Sequence, residues 1–295
     1  MPDAETAVSQ PVSDPDRPPS PQALPHPVVD DHTHLDHARS GEQPFGVAEA
    51  ITAAAAVNVT RMVQIGCELE SARWTVQALE QFPQLVGGVA LHPTEATKIV
   101  AEQGISGLWA ALDEIEALAR HPRVRVIGET GLDHYWVPYD DVPGRSAQVE
   151  SFRAHIDLAK RLGKVLQIHD RDAHDDVLRV LAEEGAPEST VLHCFSGDAA
   201  MAKRCADQGW YLSFAGPITF KNGTALREAL RAVPLEQVLV ETDAPYLTPA
   251  PYRGQPNAGY LVPLTVRCMA EVLDRDLTDV CRQLDATAES LYGPW

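Results

Sequence analysis

From residue 28 onward the chain alternates between short apolar runs and longer stretches in which apolar residues recur every three or four positions. The runs are 28–36 (VVDDHTHLD), 60–66 (TRMVQIG), 85–93 (LVGGVALHP), 124–129 (VRVIGE), 164–169 (KVLQIH), 190–195 (TVLHCF), 210–215 (WYLSFA) and 238–243 (VLVETD). Between them, 47–57, 71–82, 105–119, 146–162, 173–184, 199–208 and 224–233 carry helical periodicity, and two further helical stretches, 262–273 and 277–291, follow the eighth run. Short apolar runs separated by helices predict parallel strands joined by crossovers. Eight such units predict an α/β chain folded as a (β/α)8 TIM barrel over residues 28–295. A doubly wound open sheet is the competing architecture, and no Gly-x-Gly-x-x-Gly follows the first strand to support it.

Residues 1–27 break the pattern. They hold eight prolines, four acids and one arginine with almost no aliphatic periodicity, and are expected to form a disordered Pro-rich N-terminal arm. The formal net charge of −18 disfavours long-range attraction of a polyanion, so a nucleic-acid substrate needs bound metal and local cations. Five cysteines without a Cys-x-x-Cys pair argue against a disulfide framework. No apolar run reaches the ~20 residues of a membrane span, so a cytoplasmic protein without membrane contact is expected. A monomer satisfies the pattern as well as any oligomer does.

Polar residues at the strand ends carry the candidate chemistry. His32 and His34 close the first run and, two positions apart on a strand, share a face. Glu129 ends the fourth run, His169 the fifth, His193 lies near the end of the sixth, and Asp243 closes the eighth. The C-terminal ends of barrel strands meet on one face, where active sites of this fold sit. Four histidines and two carboxylates exceed the needs of one catalytic ion that keeps an open position, and predict two divalent metal ions (Mg, Mn or Zn). Glu129 is the natural bridge. His32, His34 and Asp243 would serve one ion, and His169 and His193 the other. Asp243 and Glu129 are therefore the candidate catalytic residues, with Asp243 accepting the proton of an attacking water.

These signatures, Asp30-Asp31-His32-Thr33-His34-Leu35-Asp36, Ile127-Gly128-Glu129-Thr130-Gly131-Leu132-Asp133, His169-Asp170-Arg171-Asp172-Ala173, Leu192-His193-Cys194-Phe195-Ser196-Gly197 and Glu241-Thr242-Asp243-Ala244-Pro245-Tyr246-Leu247, resemble those of TatD-family metal-dependent hydrolases. The resemblance runs over about residues 28–293. It implies a metallo-dependent barrel related to amidohydrolases, the six residues above as ligands, and DNase activity, typically exonucleolytic from 3′ to 5′. Single-stranded DNA or RNA ends are then the expected substrate. His92 resembles a position near the substrate, and Arg171, Arg253 and Lys221 are candidate phosphate contacts. The chain departs from the family at Asp170, where a small polar residue or cysteine is usual, and near Asn257, where Asn-Glu-Pro is common. An amidohydrolase or aminoacyl-ester deacylase is the alternative, and a non-catalytic binding protein is a third. Glu129, standing where many amidohydrolases carry a carbamylated lysine, favours the nuclease over the deacylase.

Overall fold

A computed structural model describes residues 17–295. Its elements are β1 (Val28–Thr33), α1 (Val47–Ala55), β2 (Val59–Gly66), α2 (Leu69–Gln81), β3 (Leu85–Val89), α3 (Pro93–Ala119), β4 (Val124–Asp133), α4 (Val142–Leu162), β5 (Val165–Arg171), α5 (His174–Glu184), β6 (Thr190–Leu192), α6 (Ala199–Asp207), β7 (Tyr211–Phe214), α7 (Thr224–Arg231), β8 (Val238–Val240), α8 (Val262–Leu273) and α9 (Leu277–Tyr292). All eight strands are parallel and lie in the order β1 to β8. The sheet curls back on itself: Asp243 N–H donates to the His32 carbonyl at 2.9 Å and His34 N–H to that of Ala244 at 2.8 Å. The expected TIM barrel is the observed fold. None of its helices, among the described residues, is long and apolar enough to cross a membrane.

Alternation along each strand sorts the core into two layers. Val29, Val63, Ile65, Val86, Val126, Val165, Val191 and Leu239 fill the interior of the barrel, with Ala288 and Tyr292 of α9 packed below them. Their neighbours along the strands, among them Met62, Leu85, Leu166, Leu192 and Leu212, pack outward against the helices. Gly131 permits one close approach, since a Cβ there would lie 2.1 Å from the His169 carbonyl oxygen, where β4 pairs with β5.

Two elements extend beyond their sequence patterns. Helix α3 begins at Pro93 rather than near 105, because His92 caps it and Pro93 supplies the preset φ of a first helical turn. A break at Gly104, φ 71°, separates this first part from the amphipathic part the periodicity revealed. Strand β4 continues to Asp133, which leaves Glu129 in mid-strand.

The expected arm is corrected over 17–27, and its first 16 residues lie outside the described ones. Leu24 is only 2% exposed, and its N–H donates to the Val57 carbonyl at 3.1 Å. The Asn58 amide donates to the Leu24 carbonyl, the Tyr260 hydroxyl to that of Pro18, and the Arg267 guanidinium to those of Gln22 and Ala23. Proline explains the misreading: it lacks an N–H, but its fixed φ lowers the entropy lost on ordering, so carbonyls accepting from the barrel suffice to seat the strap. Leu24→Ala should therefore cost about 2–4 kcal/mol of stability. Thermal unfolding checks this, with a drop in Tm of several degrees expected against an unchanged value if the strap were free.

Candidate metal centre

One carboxylate organises the mouth of the barrel. Glu129 projects inward from β4 where the β4–β5 register shifts, between Ile127 and Thr130, and its side chain is buried. Its Oε2 lies 3.5 Å from His32 Nε2 and 3.8 Å from His34 Nε2. Its Oε1 lies 2.5 Å from His169 Nδ1 and 2.8 Å from His193 Nε2. Asp243 completes the first side, with Oδ1 3.5 Å from His34 Nε2 and 3.8 Å from His32 Nε2. It does so from a left-handed backbone conformation, φ 52°, that aspartate adopts more readily than most residues. The six predicted residues thus meet around two faces of one carboxylate.

The far nitrogens of the four imidazoles fix what the near ones present. His32 Nδ1–H donates to Gln167 Oε1 at 2.8 Å, and His34 Nδ1–H to the Ile65 carbonyl at 3.0 Å. His169 Nε2–H donates to Asp133 Oδ2 at 3.0 Å, and His193 Nδ1–H to Glu241 Oε1 at 3.3 Å. A neutral imidazole that donates from one nitrogen offers a lone pair at the other. Four lone pairs therefore converge on a buried anion, an arrangement that repels itself unless cations or protons lie between. The chemistry of this donor set fits divalent metal. Two donors of a tetrahedral ion stand roughly 3.3 Å apart, and His32 Nε2 and His34 Nε2 are separated by 3.2 Å. The second side is drawn in to hydrogen-bond lengths, 2.5 and 2.8 Å, as protons shared between Glu129 and the imidazoles would hold it.

The titration behaviour follows. Burial alone would lower the His169 pKa, but its bonds to Asp133 and Glu129 reverse this and push it up to about 9. Burial likewise works against ionised Glu129, and the charges and hydrogen bonds of His193, His169 and His32 outweigh it and hold the carboxyl well below its usual range. His32, by contrast, is lowered by burial and by its stacked neighbour His193, at a ring separation of 3.9 Å. Against the effect of burial, His34 and His193, like His169, are raised above the ordinary imidazole range by their acidic neighbours, so metal binding here would release protons.

His92 is different in kind. Its Nδ1 accepts from Thr94 N–H at 3.2 Å and from the Thr94 hydroxyl at 2.7 Å, which puts the proton on Nε2, 3.6 Å from Glu129 Oε1. Burial and His169 lower its pKa to about 3. It faces the centre as a neutral hydrogen-bond donor rather than a lone pair. Arg171 and Arg253 do not touch the six: Arg171 lies over the Tyr135 ring at 4.0 Å and Arg253 over Phe220 at 4.5 Å. Cys194 carries a thiol that burial and Glu241 push well above its usual range, which makes it no nucleophile. Cys67, unnoticed in the sequence, places Sγ 3.3 Å from Glu129 Oε2. Gln167, Glu241 and Asp31, the last bonded to Gln167 and the Tyr292 hydroxyl, were also missed. Their strand positions and inward alternation were the available signal.

A family model described as TatD related DNase matches residues 29–293. An uncharacterized metal-dependent hydrolase TatD from Mycobacterium tuberculosis is 46% identical over 273 residues, covering 90% of this chain and 98% of that protein. The uncharacterized metal-dependent hydrolase YabD from Bacillus subtilis is 33% identical, with the same coverage. In structure, the chain resembles the TatD homolog YJJV from Escherichia coli, with a TM-score of 0.79, 24% identity, and coverage of 91% of this chain and 98% of that one.

Glu241 Oε1 accepts from His193 Nδ1–H and orients that ring. Glu241→Gln should weaken divalent-metal affinity by roughly 10- to 100-fold. Calorimetric titration of metal into metal-free protein measures it, and unchanged affinities would show that His193 needs no such partner.

Proposed function

The chain belongs to the TatD family of metal-dependent hydrolases, and from that premise we propose that it is a two-metal phosphodiesterase that shortens single-stranded DNA or RNA from its ends. The observation that carries the reading is the division of Glu129: Oε2 faces the imidazoles of β1 and Oε1 those of β5 and β6. A carboxylate with separate nitrogen partners on each oxygen suits a bridge between two ions. His32, His34 and Asp243 would hold one, His169 and His193 the other. When bound, divalent ions make water nucleophilic near neutral pH and neutralise charge developing on a phosphoryl group.

The remaining steps belong to side chains. His32 and His34 hold Asp243 ionised against the effect of burial, and its side chain is 15% exposed where that of Glu129 is 6%. Asp243 is thus the carboxylate that reaches the opening and takes the proton of the attacking water. His92 Nε2–H donates toward a phosphoryl oxygen or a leaving group. Arg171 is exposed and has no carboxylate within ion-pair distance among the described residues, which suits contact with a phosphate. The five free thiols accord with a reducing cytoplasm.

The test is metal-free protein assayed against end-labelled single-stranded DNA, RNA and an aminoacyl ester, each divalent metal being restored in turn. Cleavage of the nucleic acids and not of the ester is expected; the reverse replaces this reading with a deacylase. Glu129→Ala should lower kcat/KM by roughly a thousandfold or more while the protein stays folded. Near-normal turnover with two ions per chain would exclude the bridge.

Net charge sets a further expectation. With so acidic a body, binding neutralises only one or two phosphates, and the log–log salt slope for a single strand should be about −0.7 to −1.4. A titration of binding across a salt series reads the slope, and a value several times steeper would require a basic tract that the acidic chain does not suggest.

A further inference from the structure

The loop between β4 and α4 exposes what a packed chain usually hides. Tyr135 is 54% exposed, Trp136 64% and Tyr139 87%, three aromatic rings within five residues. Such clusters on a surface mark binding sites. The loop that presents them is pinned, because Val137 is buried and Asp133 Oδ1 accepts from the N–H groups of Tyr135 and Trp136 at 3.0 and 2.7 Å. The other oxygen of that carboxylate holds His169. One side chain therefore sets both a candidate metal ligand and the pose of the rings. Tyr135 and Trp136 meet edge to face, with centroids 4.9 Å apart, and the Arg171 guanidinium covers Tyr135 at 4.0 Å. Trp136, farther from Arg171 at 5.8 Å, keeps most of its surface open.

An indole beside a guanidinium, joined by one carboxylate to a site suited to phosphoryl chemistry, has the elements that bind an unpaired nucleotide: a surface for the base and a cation for the phosphate. We infer that Trp136, braced by Tyr135 and Arg171, is a stacking platform for a nucleobase of the strand that enters the site. The choice of ligand rests on the phosphodiesterase reading. The platform is sequence-tolerant, since every base offers a π face, and it compensates for the long-range repulsion of the acidic body by a contact that needs no net charge.

The test is a comparison of two fluorescently labelled, phosphorothioate-linked oligothymidylates, one intact and one with abasic residues at its last three 3′ positions. Anisotropy titration of the metal-loaded protein should give a Kd roughly tenfold lower for the intact strand. Trp136→Ala should abolish the difference, and Trp136→Phe should keep most of it. Trp109→Ala, which removes an exposed tryptophan from the outer helix α3, should leave it unchanged. Equal affinity of the wild-type protein for both strands, binding of neither, or a preference that survives Trp136→Ala would overturn the platform. Hydrolysis of an ordinary labelled strand, followed in parallel, reports separately on the nuclease reading. A base preference without hydrolysis keeps the platform and removes the nuclease, and hydrolysis without a base preference does the opposite.

Discussion

A buried carboxylate surrounded by imidazole lone pairs is the constraint on which the rest of this molecule turns. Glu129 is buried at the mouth of a barrel whose interior includes a layer of valine, isoleucine and leucine. An anion in such a place costs several kcal/mol unless it is compensated. The compensation comes from four histidines on β1, β5 and β6 or just beyond them, and from whatever cations they hold. The parallel barrel serves this end: it brings the C-terminal ends of strands that are distant in sequence to a common centre, and it excludes water from beneath.

The orientation of the imidazoles comes from a second tier of polar side chains inside the barrel. The Tyr292 hydroxyl of α9 donates to Asp31, Gln167 donates to Asp31 and accepts from His32, and Glu241 accepts from His193. Each of these side chains is buried; Gln167 and Glu241 fix the tautomers of His32 and His193, and Asp31 and Tyr292 hold Gln167 in place. The side chains of Asp31 and His32 are consecutive yet both reach Gln167, which an undisturbed strand would forbid; the β1–β2 register shifts at this point, between Asp30 and Thr33. The irregularity puts two neighbouring polar groups into the interior.

Much of this was readable in the sequence. Eight apolar runs give the barrel, because fully buried parallel strands read as continuous hydrophobic stretches. His32, His34, His169, His193 and Asp243 stand out because each follows such a run. Gln167, Asp31 and Glu241 did not, since a polar residue within a strand has no periodicity of its own and its role depends on a partner more than a hundred residues away, as with His32 and Gln167. His92 was legible as a central residue, but its protonated nitrogen depends on the Thr94 contacts, which no pattern encodes. The strap of residues 17–27 was hidden by composition, since proline signals disorder in a free chain and inexpensive order against a surface.

The seam between β1 and β8 carries a consequence for how the molecule matures. Thr242 and His32 meet across 210 positions of chain, whereas Glu129 meets His169 across 40 and His193 across 64. Closing the longer loop is dearer by about 1.5 kcal/mol of chain entropy, and it requires that six intervening strands already be in place. Chain entropy therefore favours forming the β4–β6 side of the Glu129 carboxylate before the β1–β8 side. The β4–β6 side can assemble while the nascent chain is still an open sheet, and the β1–β8 side exists only once the ring has shut. Nothing downstream of ring closure has to inspect the fold: the pocket of His32, His34 and Asp243 is itself the proof that the chain has come full circle.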